Sequence, residues 1–287
     1  MTKLITLGPN GSFSAYGTNI FAQKYFADFD LTLSDSFHGV WKSILTDPKI
    51  IGVLPIENSS TSNVHENIDF VFRHPELQIL AEFFLPITLN LYGDKDLSIK
   101  DLDVIYSHPK AFEQCESFLN DFDGKIIEVK STSDALRLFE AEAKNFDSES
   151  KKIGFIGGPQ LEDMTTGNLL KKNIANQSHN VTRFLLITQS EKKSNSTLDL
   201  NKQNKATLIF ETFHEKGALA KVLTLISHLD GNLLKIESRP IPHKPANYAF
   251  WIDIDLTETP DNLIDILRKN VQDLRVVGRY DAGKNCI

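Results

Sequence analysis

Five short stretches carry side chains able to work on a small polar molecule, and each stands where an apolar run gives way to another element. The first is Gly8-Pro9-Asn10-Gly11-Ser12-Phe13-Ser14. Its glycines admit a tight turn, and Ser12 or Ser14 can cap a helix whose first N–H groups then face an anion. A plain capped helix start uses the same residues, and no GKS or GKT follows to make a phosphate loop. The second, Leu54-Pro55-Ile56-Glu57-Asn58-Ser59, sets an amide beside a hydroxyl, a corner suited to a carboxylate or hydroxyl and equally to an ordinary turn. In the third, Ser107-His108-Pro109-Lys110-Ala111, proline at a first helical position and the lack of an acidic neighbour make His108 structural. The fourth, Ser131-Thr132-Ser133-Asp134-Ala135, is another hydroxyl-rich helix start. The fifth is Asn180-Val181-Thr182-Arg183-Phe184, at the mouth of an apolar strand. A guanidinium there is costly to desolvate and needs a carboxylate, supplied by the protein or by a ligand.

No HExxH, GxSxG or GxGxxG occurs, nor any run of metal ligands, which argues against a metallohydrolase, a serine hydrolase and a nucleotide-dependent enzyme. The remaining chemistry uses hydroxyls, amides and a cation on an anionic small molecule. Thirty-one basic residues against 38 acidic ones leave a net charge of −7, a poor match for nucleic acid or an anionic membrane. Two cysteines, Cys115 and Cys286, build no disulfide framework, and the early glycine and proline make the N-terminus unlike a signal peptide. A reducing, cytoplasmic setting is expected.

Positioning these loops takes an alternating α/β segment. The expected strands are 4–7, 51–54, 104–106, 126–129, 153–156 and 184–188, and the helices 13–26, 37–45, 64–73, 111–120 and 133–143. Residues 189–205 are too polar to offset their ordering entropy and are read as a linker, dividing the chain into domains 1–188 and 206–287. The second domain reads as strand 207–213, helix 217–229, strands 232–240 and 248–256, a helix opened by Pro260, and strand 274–280. That βαββαβ order is ferredoxin-like.

The loops taken in order (GPNGSFS, LPIENS, SHPKAFEQC, STSDA and NVTRFLLI, then GAL and IESRP) resemble prephenate dehydratase with a C-terminal ACT regulatory domain. The resemblance spans residues 4–277. It implies a two-lobed catalytic domain like type II periplasmic binding proteins, crossing to the second lobe near residues 91–104 and returning near 173–183. The implied reaction converts prephenate to phenylpyruvate with loss of carbon dioxide and water, without a cofactor or a metal. By the same resemblance Thr182 serves the leaving hydroxyl, and Arg183 is the candidate cation for the substrate carboxylates. Asn58, Ser59, Ser131 and Thr132 are the candidate contacts, with Ser12, Phe13 and Phe184 around the pocket. L-Phenylalanine is implied as a feedback inhibitor, with Gly217, Ala218 and Leu219, and Glu237, Ser238, Arg239 and Pro240, as the effector motifs. ACT pairing into a homodimer or homotetramer is implied too.

The chain departs from the family pattern in three places. Residues 153–160 read IGFIGGPQ where an alanine-rich segment is usual, and that segment is expected to line the cleft, so Phe155 and the Gly-Gly-Pro turn bear on substrate geometry. The glycine usual after IENS is missing from residues 60–63, and Lys216 replaces the proline common before GAL. Arogenate dehydratase is a rival reading, and so is a non-catalytic amino-acid sensor on the same scaffold.

Overall fold

The structure, a computed structural model, describes residues 1–60, 62–94, 97–143, 152–189, 203–241, 247–260 and 262–283. Most of the expected linker (190–202) and Cys286 lie outside the described residues.

Lobe I begins with β1 (Thr2–Leu7), α1 (Phe13–Tyr25), β2 (Phe29–Ser34), α2 (Phe37–Thr46), β3 (Ile50–Asn58), the short β4 (Ser62–Asn63), α3 (His65–Arg73) and β5 (Gln78–Pro86). Lobe II follows with β6 (Asn90–Gly93), β7 (Val104–Ser107), α4 (Pro109–Gln114), α5 (Glu116–Leu119), β8 (Lys125–Glu128), α6 (Thr132–Ala143), β9 (Ile153–Gly157) and β10 (Asn168–Lys171). The chain then re-enters lobe I as β11 (Val181–Thr188). The crossing into lobe II falls at residues 87–89, earlier than expected, because β6 already belongs to the second sheet. Cys115 breaks the helix expected over 111–120 into α4 and α5.

In lobe I the strand order is β2-β1-β3-β11-β5, with β1 parallel to its neighbours and β11 antiparallel between β3 and β5. One face packs on α1 through Phe21 and Ala22, with Phe26 at its C-cap; the other packs on α2 and α3 through Val40, Ile44 and Ile68. Sheet II, ordered β10-β6-β9-β7-β8, sits between α4–α5 and α6.

The C-terminal part is β12 (Lys205–Glu211), α7 (Ala218–His228), β13 (Asn232–Pro240), β14 (Tyr248–Asp255), α8 (Leu263–Arg268) and β15 (Asp273–Tyr280), with sheet order β13-β14-β12-β15. Its alternating strands send Leu208, Phe210, Ile252 and Ile254 to the two helices. They send Trp251, Val277 and Tyr280 into the core of lobe I. Gly278 permits that contact, since a Cβ there would stand 2.4 Å from the carbonyl oxygen of Ile79. Burying a tryptophan of about 150–250 Å² stabilises on the order of 4 kcal/mol, so the small domain and lobe I share one core. No helix of the described residues is long and apolar enough to cross a membrane.

Candidate active site and effector site

Between the lobes lies a cleft of about 740 Å³, and all five stretches named from the sequence contribute to its lining, the second through Pro55 and Asn58 and the fifth through Thr182 and Phe184. Ser12 caps α1: its hydroxyl accepts from the Ala15 N–H (3.2 Å) and donates to the Leu7 carbonyl (3.2 Å). Ser131 accepts from the Asp134 N–H (3.0 Å) and donates to the Asp134 carboxylate (2.9 Å), so α6 starts at the cleft with Thr132 in its first turn. Two helix N-termini thus face the same space, which favours an anionic occupant. Phe184 is buried on the cleft floor, stacked on Phe83 at 4.9 Å, and Phe13 walls one side.

Thr182 and Asn58 face each other in the β11–β3 register. The Asn58 amide donates to the Thr182 hydroxyl (2.8 Å) and to Asn180 Oδ1 (2.7 Å), while its oxygen accepts from the Ser60 N–H (2.9 Å). Because the Thr182 oxygen accepts, its proton is left to donate into the cleft. Asn58 thus lines the cleft and at the same time holds the Thr182 hydroxyl. Ser59 departs from its expectation. Its hydroxyl accepts from the Val181 N–H (2.9 Å) and donates to the His179 carbonyl (3.1 Å), clamping the end of β3 to β11 outside the cleft lining.

Arg183 is the largest correction. Strand alternation turns it away from the cleft, towards the C-terminal domain. There Nη1 reaches Asp253 at 2.5 Å, Nε reaches Glu82 at 2.7 Å, and Nη2 donates to the Tyr280 hydroxyl at 3.2 Å. Lys205 completes the cluster with two 2.9 Å contacts to Glu82. Burial works against the Arg183 charge, but Asp253, Tyr280 and Glu82 outweigh it and hold the guanidinium well above its ordinary pKa. The carboxylate this arginine needs comes from the protein.

The cleft has other cations, which the sequence reading passed over. Lys110 and Lys130 both line it, and among the described residues neither forms an ion pair. Lys110 sits inside the third stretch, after the Ser107-His108-Pro109 start of α4, and Lys130 immediately precedes the Ser131 cap of the fourth. His108 caps α4 by accepting the Lys110 N–H on Nδ1 (3.1 Å) and also lines the cleft. Burial first, then the Lys110 charge, lowers its pKa, so it is neutral at pH 7 with Nε2 as its remaining donor.

Residues 153–160 do not line the cleft as expected. Phe155 is wholly buried in lobe II, stacked on Tyr92 at 4.9 Å. Gly158 is where the lobes touch: a Cβ there would lie 2.6 Å from the Phe13 ring, and Gln160 donates to the Gly11 carbonyl at 2.9 Å.

In the C-terminal domain a cavity of about 260 Å³ is lined by Gly217, Ala218 and Leu219 with Phe213, Tyr248 and Phe250. Gly217 precedes α7 at φ +76, a conformation open to glycine, and a Cβ there would meet nothing within 4 Å. The ESRP motif divides by alternation. Glu237 and Arg239 turn from this cavity to lobe I, where Arg239 binds Asp69 (2.6 Å) and Glu237 (2.6 Å), and Asn63 donates to Glu237 (2.6 Å). Ser238 and Pro240 face outward, and Ser238 pairs in register with Phe250.

These features define a two-lobed α/β cleft protein of the periplasmic-binding-protein type, joined to an ACT domain. A family model described as prephenate dehydratase matches residues 4–192, and one described as ACT domain matches 206–272. The bifunctional chorismate mutase/prephenate dehydratase of Buchnera aphidicola is 30% identical over 282 residues, covering 97% of this chain and 70% of that protein. The solved prephenate dehydratase of Staphylococcus aureus superposes with a TM-score of 0.80 at 26% identity, covering 97% of this chain and 100% of that one. That of Arthrobacter aurescens, solved in complex with L-Phe, has the same fold, with a TM-score of 0.74 at 21% identity and coverages of 97% and 90%. The chain belongs to the prephenate dehydratase family, and by that membership it is a carbon–oxygen lyase.

Proposed function

We propose that the cleft aromatises prephenate to phenylpyruvate with Thr182 as proton donor to the departing ring hydroxyl. The observation that carries this reading is the 2.8 Å bond from Asn58, in which the Thr182 oxygen accepts, so its proton is free to be donated to an occupant of the cleft that Thr182 lines. A neutral hydroxyl is a weak acid, so it contributes by alignment, with the N-termini of α1 and α6 stabilising charge around it. Lys110 and Lys130 hold the two substrate carboxylates, and the neutral His108 offers a hydrogen bond. Aromatisation supplies the driving force for loss of the ring carboxylate, and the reading calls on no cofactor.

L-Phenylalanine is the proposed effector. The glycine-opened N-terminus of α7 suits its carboxylate, and Phe213 and Phe250 suit its ring. The solved relative holding L-Phe supports this choice. We assign ACT-mediated self-association to the exposed edge strand β13, where Leu234 and Ile236 stand 48% and 41% exposed, and place the protein in the cytoplasm.

The test is phenylpyruvate formation by purified protein, with and without L-phenylalanine, beside Thr182→Ala. The expected result is turnover that the substitution abolishes and phenylalanine suppresses. Turnover of arogenate in preference to prephenate would reassign the substrate; no turnover of either would overturn the catalytic reading.

A further inference from the structure

Thr182 and Asn58 face the cleft, and the very next residue on the chain in one case, and the preceding one in the other, faces the opposite way. Arg183 and Glu57 are register partners just as Thr182 and Asn58 are. The reacting pair on the front of the sheet is therefore backed by a charged pair, and the ACT domain holds both members. Asp253 of β14 binds Arg183 at 2.5 Å, and Lys235 of β13 binds Glu57 at 3.0 Å. Lys235 also donates to Asn63 at 2.7 Å, tying in β4. Asp253 is itself fixed by the Thr207 hydroxyl (2.6 Å) and the Trp251 indole N–H (3.0 Å). Directly beyond Arg183 the β11–β3 register slips, Phe184 pairing with Pro55. Such a bulge frees a strand to twist locally, so the position of Thr182 depends on what grips its neighbour.

We propose that Arg183 and Glu57 are positioning residues through which the ACT domain sets the Thr182–Asn58 geometry. The two ACT anchors, Asp253 and Lys235, lie on adjacent strands, so a change in the pitch of the ACT sheet moves both sides of the reacting pair together. Effector binding then reaches the chemistry through two ion pairs and one peptide step on each strand. This inference rests on the proposed role of Thr182.

The test uses the full chain carrying Asp253→Asn or Lys235→Met. Lys235→Met leaves Glu57, already 42% exposed, free to hydrate, so folding is not at stake in that variant. The expected result is a kcat about ten-fold lower with KM within about two-fold. Phenylalanine should still bind by calorimetry, but its inhibition should be blunted. Hydrogen exchange of the peptide covering β11 should quicken in both variants, and this readout needs no turnover. A merely structural role predicts a lower melting temperature with unchanged kcat, phenylalanine response and β11 exchange in the folded protein, and that result would overturn the proposal. If the wild-type protein failed to act on prephenate, the reading of Thr182 would fall on that assay, while unchanged exchange would separately refute the mechanical link.

Discussion

Replacing Lys110 and Lys130 by glutamine, singly and together, contrasts the structure with the simplest sequence-based expectation. Sequence alone nominates Arg183 as the cation for the substrate carboxylates; the structure spends it on Asp253 and Glu82 and leaves the two lysines in the cleft. A hydrogen bond to a charged group is worth about 1.5–3 kcal/mol, and about 1.4 kcal/mol is a factor of ten. Each single variant should therefore raise KM for prephenate about 10- to 100-fold, and the double variant by at least about 100-fold. Neither lysine has an ion-pair partner among the described residues, so stability should stay within about 0.5 kcal/mol of wild type. The assay is steady-state phenylpyruvate formation over a range of ionic strength. Screening shortens from about 10 Å at 0.1 M salt to about 3 Å at 1 M, so the wild-type KM should climb with salt and that of the double variant should not. Arg183→Lys, measured beside them on folded protein, should leave KM within about two-fold. The reasoning is refuted if the lysine variants keep the wild-type KM while Arg183→Lys raises it.

Three further outcomes follow from buried groups. Burial pushes the Cys115 thiol up to about 12, so it should resist alkylation at pH 8 until denaturant is added; prompt labelling of the folded protein would contradict its placement. Burial raises the Tyr280 phenol well above its ordinary value, and burial with Glu142 raises Tyr106 to about 12. An alkaline absorbance titration near about pH 11 should thus fall short of the six-tyrosine amplitude until the protein unfolds. Desolvation alone would raise the Asp253 carboxyl, but Arg183 and Lys205 hold it below its usual 3.8. Its contribution is therefore complete above that value and lost as pH falls through the lower folded pKa. The melting-temperature gap between wild type and Asp253→Asn should hold steady above about pH 4 and narrow below it, with removal of a buried partner costing about 3–5 kcal/mol.

The order of domains, and the loops that meet at the cleft, can be read from local patterns because glycine turns, caps and alternating apolar runs act over a few residues. Strand β13 falls at its expected residues, 232–240, for that reason. Strand β5 escaped because Glu82 interrupts its apolar face as a surface residue would, yet it is 3% exposed and neutralised by Lys205 and Arg183 from far along the chain. The orientation of Arg183 was hidden for a related reason. β11 is buried on both faces, so alternation of polarity cannot tell which way a side chain points, and its partner lies 70 residues away. Lys110 and Lys130 needed no long-range knowledge, only attention to cations beside helix starts.

The insertion of β11 between β3 and β5 bears on how the chain is made. Lobe II is continuous from residue 90 to 171 and can complete its sheet while later residues are still within the ribosome. Lobe I cannot: among the described residues β5 pairs with no strand except β11, so until residue 188 emerges it is an orphan ribbon beside an open β3 edge. Open edges on a half-made sheet invite pairing with other chains. The ACT domain then arrives last onto the finished face. The segment bearing the threonine proposed as proton donor is thus also the keystone of assembly, and a lesion in β11 that spared every contact to substrate would still lower yield by leaving nascent chains exposed to misassociation.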